Sequence, residues 1–118
     1  EAIQSAAKYQ LDNLLLVVDD NKLTQHAAAD QVMNVYPLES KFEDFGWQVQ
    51  RINGHDYYQI LDALERASQV RGVPSAIVCD TVKGKGVSFM ENVAKWHSTD
   101  LPDDLLKVAL TELGQDSS

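Results

Sequence analysis

Asn21 and Leu23 stand two positions apart, just after an aliphatic run. An asparagine side-chain oxygen beside a main-chain carbonyl forms one side of a site for a hard divalent cation such as Mg²⁺. The rest of such a shell is normally a carboxylate, phosphate oxygens and water. An ordinary polar turn through Asp19-Asp20-Asn21-Lys22 explains the same residues. Lys83 and Lys85 alternate with glycines in Lys83-Gly84-Lys85-Gly86, where ammonium groups could meet a phosphate or another anion. The segment lacks the G-x-x-x-x-G-K-[ST] spacing of a nucleotide P-loop, and a flexible surface loop is its plain alternative. His97 follows Trp96, and a His beside a large aromatic reads most simply as a buried imidazole satisfied by its neighbours. Asn53-Gly54-His55-Asp56 reads as a turn with an exposed His55, followed by a helix capped by Asp56.

Positioning these residues requires particular elements. Glu1 to Lys8 has helical propensity from its first residue, with no Ser, Thr, Asp or Asn ahead of it as a cap. This predicts a chain that begins inside an element. Leu14 to Val18 is a continuous aliphatic run, the pattern of a strand buried on both faces. Residues 22–37 lack periodicity and read as a long connection. Leu38 to Phe45 predicts a short helix with Leu38, Phe42 and Phe45 on one face, stopped by Gly46. Trp47 to Ile52 alternates like a half-covered strand. The helix after Asp56, with Gln59 completing a variant capping box, is expected to turn Ile60, Leu61, Leu64 and Ala67 inward and to stop near Gly72-Val73-Pro74.

Ser75 to Thr81 holds the third strand. Pro102, Leu105, Leu106, Ala109, Leu110 and Leu113 then mark one face of a last helix ended by Gly114. Strands alternating with helices predict an α/β fold, a parallel sheet with helices on both faces. Three strands suggest part of a larger sheet. Three segments fall at the carboxyl ends of the strands, where open parallel sheets bind ligands: Asp19 to Leu23, Asn53 to Asp56 and Lys83 to Gly86.

Composition narrows the class. The 118 residues fit one domain, and the net charge of −8 disfavours nucleic acid or an anionic membrane as partner. Leu, Ile, Val and Phe make up more than a quarter of the chain, enough to build a core. The longest aliphatic run, Leu14 to Val18, is too short to span a bilayer. A single cysteine, Cys79, rules out an internal disulfide and Cys-rich zinc patterns. The expectation is a soluble, cytoplasmic piece.

Six blocks share an order: Leu11-Asp12-Asn13-Leu14, Val18-Asp19-Asp20-Asn21-Lys22-Leu23, Phe45-Gly46-Trp47, Asn53-Gly54-His55-Asp56, Thr81 to Asn92, and Trp96-His97. Together they resemble the amino-terminal, diphosphate-binding region of transketolase, especially the split bacterial type. The resemblance runs from about Glu1 to Leu113. It implies a thiamin-diphosphate-binding fold, incomplete here, with residues 1–114 as the C-terminal part of that domain and 115–118 a polar tail. By position, Asn21 resembles the family's metal-binding asparagine, which also approaches thiamine diphosphate. Leu23 resembles the residue whose carbonyl completes that side of the Mg²⁺ or Ca²⁺ shell. Lys83 resembles a lysine lining the cofactor and substrate region, and His97 a catalytic histidine that contacts cofactor and sugar oxygens. Asp19 and Asp20 are assigned no ligand role.

The resemblance implies transfer of a two-carbon glycolaldehyde unit from a ketose phosphate to an aldose phosphate, with the cofactor supplying the carbanion chemistry. The family's Gly-Asp-Gly segment, carrying the charged metal ligand, is expected upstream of Glu1. The glutamate that activates the aminopyrimidine is expected on a C-terminal section or a partner chain. The chain alone is therefore expected to be inactive, working in a homo- or hetero-oligomer on phosphorylated sugars. Two departures stand out: Thr24-Gln25-His26-Ala27 where many members have an aliphatic residue, Asp and Gly, and Ser98 where a Gly usually follows the histidine. They leave open a related thiamine-diphosphate enzyme with other substrates, or a non-catalytic scaffold module of the same fold.

Overall fold

The computed structural model describes residues 1–24 and 27–114. The elements run α1 (Ala2–Lys8), β1 (Leu15–Asp20), α2 (Ala29–Val32), α3 (Leu38–Asp44), β2 (Gln48–Asn53), α4 (Tyr57–Gln69), β3 (Ser75–Asp80), a 3₁₀ turn (Ala94–His97) and α5 (Asp103–Glu112). They pack as two compact units. One holds Glu1–Asp20 with Val35–Thr81, and the other holds Asn21–Asn34 with the chain from Val82 onward.

The first unit contains the sheet. Its strands are parallel in the order β1-β3-β2, with Leu16, Ala76 and Val49 level across the three. Because side chains alternate along a strand, this register sorts the sheet into two faces. Leu16, Val18, Ala76 and Val49 pack with Ala6 of α1, Phe42 of α3 and Trp47 on one side. Leu15, Ile77, Cys79 and Ile52 pack with Ile60 and Ala63 of α4 on the other. The predicted α/β fold, a parallel sheet with helices on both faces, is present. Trp47 anchors the first face: its indole N–H donates to the Ile3 carbonyl at 2.9 Å, and its ring tilts against Phe42 at 5.7 Å. Burying two such aromatics contributes about 1.5–3 kcal/mol each.

Three burial expectations are corrected. The strand buried on both faces is β3, whose Ser75 to Cys79 are all buried. β1 is an edge strand and leaves Val17 56% exposed. An aliphatic run specifies a strand but not its place in the sheet. On α4 the inward residues are Ile60, Ala63 and Ala67, whereas Leu61 and Leu64 are 64% and 39% exposed. Ile60 and Ala63 meet the sheet there, and Leu61 and Leu64 lie outside that contact. Phe45, Leu106 and Leu113 are likewise exposed beside their buried neighbours Phe42 and Ala109.

The cap of α4 forms as expected. The Asp56 carboxylate accepts from the Tyr58 and Gln59 amides at 2.9 and 3.3 Å, and Gln59 Nε2 donates to it at 2.9 Å. These bonds, with Gln59 first, hold the Asp56 carboxyl below its usual range. Gln59 Oε1 meanwhile accepts from the Asn53 amide at 2.9 Å, which ties the end of β2 to the start of the helix.

Candidate functional site

The chain leaves β1 at Asp20 and enters a tight turn. Lys22 takes a left-handed conformation, φ 62°, unusual for a residue other than glycine. That twist brings the Leu23 amide back onto Asn21 Oδ1 at 2.9 Å. The bond fixes the Asn21 side chain, whose amide oxygen carries two lone pairs. Leu23 also pairs with Ala28 in an isolated antiparallel bridge. Its flanking bonds, Thr24 N to Ala27 O and Ala29 N to Lys22 O, are both 2.8 Å. They make Leu23 and Ala28 a non-hydrogen-bonded pair, so the peptide groups of Leu23 face away from Ala28. The turn therefore presents two neutral oxygens, the Asn21 amide and the Leu23 carbonyl.

That donor set fits part of a Mg²⁺ or Ca²⁺ shell, since both are hard oxygen ligands. Among the described residues no three His, Cys, Asp or Glu side chains converge to hold a metal. A bound cation would take its other ligands from diphosphate oxygens, water and a carboxylate on another segment.

Lys83 opens a hydrogen-bonded loop. Its carbonyl accepts from the Asn92 amide at 3.0 Å, and the Gly86 amide donates to Glu91 Oε1 at 3.0 Å. Lys85 pairs with that same Glu91 at 3.3 Å, so its charge serves the loop. Lys83, half-buried, is the lysine left for an anion. Glu112 at the end of α5 clasps the loop through Ser88, accepting from its amide and hydroxyl at 2.6 Å each. Ser88 in turn holds the Glu112 carboxyl below its usual range. Gly84 sits at φ +73°, and a Cβ there would lie 2.6 Å from Met90 Cβ and 2.8 Å from its backbone. Gly84→Ala is expected to lower stability by about 2 kcal/mol or more, from the left-handed backbone and the clash together. Chemical denaturation measures it, and an unchanged midpoint would show that the loop adapts.

His97 closes the 3₁₀ turn and is exposed, which removes the reading of a buried, satisfied imidazole. The turn hangs on Trp96: the indole N–H donates to the Phe89 carbonyl at 3.0 Å, and the two rings meet edge to face at 5.4 Å. Ser98 adopts φ −151°, ψ 27°. This backbone does not need glycine, so the serine is accommodated beside His97. His26 and Gln25, the other departure, lie outside the described residues, as do Gln115 to Ser118. Asn21, Leu23, Lys83 and His97 all belong to the second unit, the first two joined directly and the others on separate segments.

Sequence reasoning missed the cluster at the carboxyl ends of the strands. Arg51 of β2 forks onto Glu39 of α3, with Nη2 to Oε2 at 2.9 Å, and its Nη1 reaches Asp80 of β3 and Asp20 of β1, the latter at 3.0 Å. Asp20 is 4% exposed, and its other oxygen accepts from the Tyr36 hydroxyl at 2.7 Å. Asp19, its neighbour, accepts from the Thr81 hydroxyl. Both aspartates thus have structural partners. A signal existed: a lone arginine in an otherwise uncharged strand segment whose neighbouring strand ends are acidic.

Arg51 holds the Glu39 carboxyl down to about 2 from its usual 4.5. A carboxyl with a lowered folded-state value stabilises the fold above its unfolded value, and that contribution disappears as pH falls through the folded one. Glu39→Gln should therefore flatten the loss of stability between about pH 4.5 and 2, followed by thermal melts across that range. An unaltered acid limb would remove Glu39 from the account.

A sequence profile described as "Transketolase, thiamine diphosphate binding domain" matches residues 1–118. The chain is 36% identical over its whole length to a 6-deoxy-6-sulfo-D-fructose transketolase subunit of Clostridium sp. strain MSTE9. It is 37% identical over 96% of its length to one of the subunits of apulose-4-phosphate transketolase from Actinobacillus succinogenes. It spans 43% and 41% of those two proteins. Among solved structures, transketolase from Campylobacter jejuni superposes on 98% of the chain with a TM-score of 0.90 at 32% identity, the chain covering 18% of that molecule. A profile match along every residue, with the predicted parallel sheet in place, makes this chain a member of the transketolase family, within its thiamine diphosphate binding domain.

Proposed function

We propose that this chain is part of a thiamine-diphosphate- and divalent-metal-dependent transketolase that moves a two-carbon glycolaldehyde unit from a ketose phosphate to an aldose phosphate. The turn from Asn21 to Leu23 carries the reading. Its left-handed Lys22, the Leu23 amide on Asn21 Oδ1 and the outward peptide of Leu23 prepare two hard oxygens on one turn. When bound, thiamine diphosphate would supply the carbanion chemistry. Asn21 and Leu23 would hold Mg²⁺ or Ca²⁺, and Lys83 would meet an anionic group of cofactor or substrate. His97 would move a proton at a sugar hydroxyl oxygen. Residues 1–114 would be the C-terminal part of the diphosphate-binding domain. A Gly-Asp-Gly segment and a C-terminal transketolase section, on the same chain or a partner, would complete a cytoplasmic homo- or hetero-oligomer.

A second reading concerns the donor. The two relatives are named for different ketoses, a sulfo-sugar and apulose 4-phosphate, whose distal ends share an anionic group. A family enzyme whose donor carries a sulfonate instead of a phosphate is one alternative, and a scaffold that binds no cofactor is the other. The test is calorimetric titration of the complete assembly with thiamine diphosphate at fixed Mg²⁺, then turnover of phosphorylated and sulfonated ketoses. Saturable, metal-dependent binding with ketose-phosphate turnover supports the proposal. Turnover of sulfonated ketose alone supports the second reading, and absence of binding leaves the scaffold.

A further inference from the structure

Asp20 is the last residue of β1, and the next peptide begins the turn that carries Asn21. Both oxygens of this buried carboxylate are engaged, Oδ2 by Arg51 at 3.0 Å and Oδ1 by Tyr36 at 2.7 Å. Asp20 is thus a poor candidate to reach a cation itself, although it is an acid one residue from the candidate ligand. Arg51 is in turn held by Glu39 through two of its nitrogens and by Asp80 at the end of β3. One guanidinium therefore binds side chains from β1, β3 and α3 while rooted in β2. A planar fork with several donors can do this, and a point-charge ammonium cannot.

We propose that Arg51 is a positioning residue for the cation-binding turn: through Asp20 it fixes the peptide from which the backbone starts toward Asn21. This rests on the functional reading above and adds a residue to it. Mg²⁺ demands near-ideal octahedral geometry with short ligand distances, so a ligand on a loosely rooted turn binds it poorly. Groups that orient the ligands without touching the metal commonly govern its affinity. The Asn21–Leu23 bond and the bridge to Ala28 fix the turn internally, and the Asp20 anchor fixes where it begins.

The experiment uses the complete assembly and reads Mg²⁺-supported thiamine diphosphate affinity by calorimetry, with the melting temperature of the unloaded protein measured in parallel. Arg51→Lys retains a positive charge for Asp20 but loses the fork. It should weaken metal-dependent affinity about tenfold, as loss of an orienting group does. Tyr36→Phe removes one hydroxyl from Asp20 and should weaken it about threefold, the scale of one hydrogen bond. Arg66→Lys, on an exposed pair with Asp62, serves as the control and should leave affinity as it is. Arg51→Lys with wild-type affinity overturns the proposal, and so does a loss equalled by the control. If Arg51→Lys does not fold, wild-type affinity in Tyr36→Phe overturns it instead. A wild-type assembly that binds no cofactor sinks the functional reading itself and this inference with it; normal wild-type binding with unaffected variants sinks the inference alone.

Discussion

Replacing His97 by alanine is expected to lower kcat of the complete assembly about 100-fold, the low end of what a positioned proton-transfer group contributes. Thiamine diphosphate affinity should stay within about threefold of wild type, because the change removes a group that acts on reacting oxygens. The structure explains why the effect should fall on turnover. His97 is exposed, and the 3₁₀ turn beneath it is held by Trp96 through the Phe89 carbonyl and the Phe89 ring, not by the imidazole. Lys95 lies 4.8 Å over the same indole and adds to that anchor. Truncation at His97 leaves all of these contacts intact. Steady-state kinetics on a ketose-phosphate donor, paired with calorimetry for the cofactor, separates the two effects. Wild-type turnover would remove His97 from the mechanism, and loss of cofactor affinity at unchanged kcat would make it a binding residue.

What the sequence disclosed was local. The cap at Asp56 needs only residues 56, 58 and 59, and all three behave as their types predict. The run 14–18 announced a strand, and the alternation at 47–52 announced another, because hydrophobic period is written along the chain. Which strand lies in the middle depends on pairing between distant segments, so the fully buried strand proved to be β3 and not β1. The face of α4 was misjudged for a related reason. Its apolar residues cover a wide arc, and only packing against the sheet decides that Ala63 and not Leu61 is covered. The Arg51 cluster was the least legible, since its partners are 12 to 31 residues away in the chain. At the candidate site, the residue types at 21, 23, 83 and 97 were readable. The left-handed Lys22 and the Glu91 brace that takes Lys85 out of contention were not.

Asn21→Ala is expected to weaken Mg²⁺-supported binding of thiamine diphosphate by about 100-fold or more, beyond the loss from an orienting group because a ligand itself is removed. Two effects combine. The alanine deletes one of the two oxygens that the turn offers, and it leaves the Leu23 amide without the acceptor 2.9 Å away that holds the second oxygen's peptide in place. Lys22 at φ 62° would then lose the bond that accompanies its left-handed backbone, and the turn would be free to relax toward the commoner region. Asn21→Asp separates these contributions. A carboxylate keeps an oxygen for the amide and another for the cation, so its affinity should remain within about tenfold of wild type. Calorimetric titration of cofactor at several Mg²⁺ concentrations reads both variants. If Asn21→Ala binds as wild type does, the turn is an ordinary polar one and the metal lies elsewhere. If Asn21→Asp falls as far as Asn21→Ala, the neutral amide matters for a reason other than its oxygen.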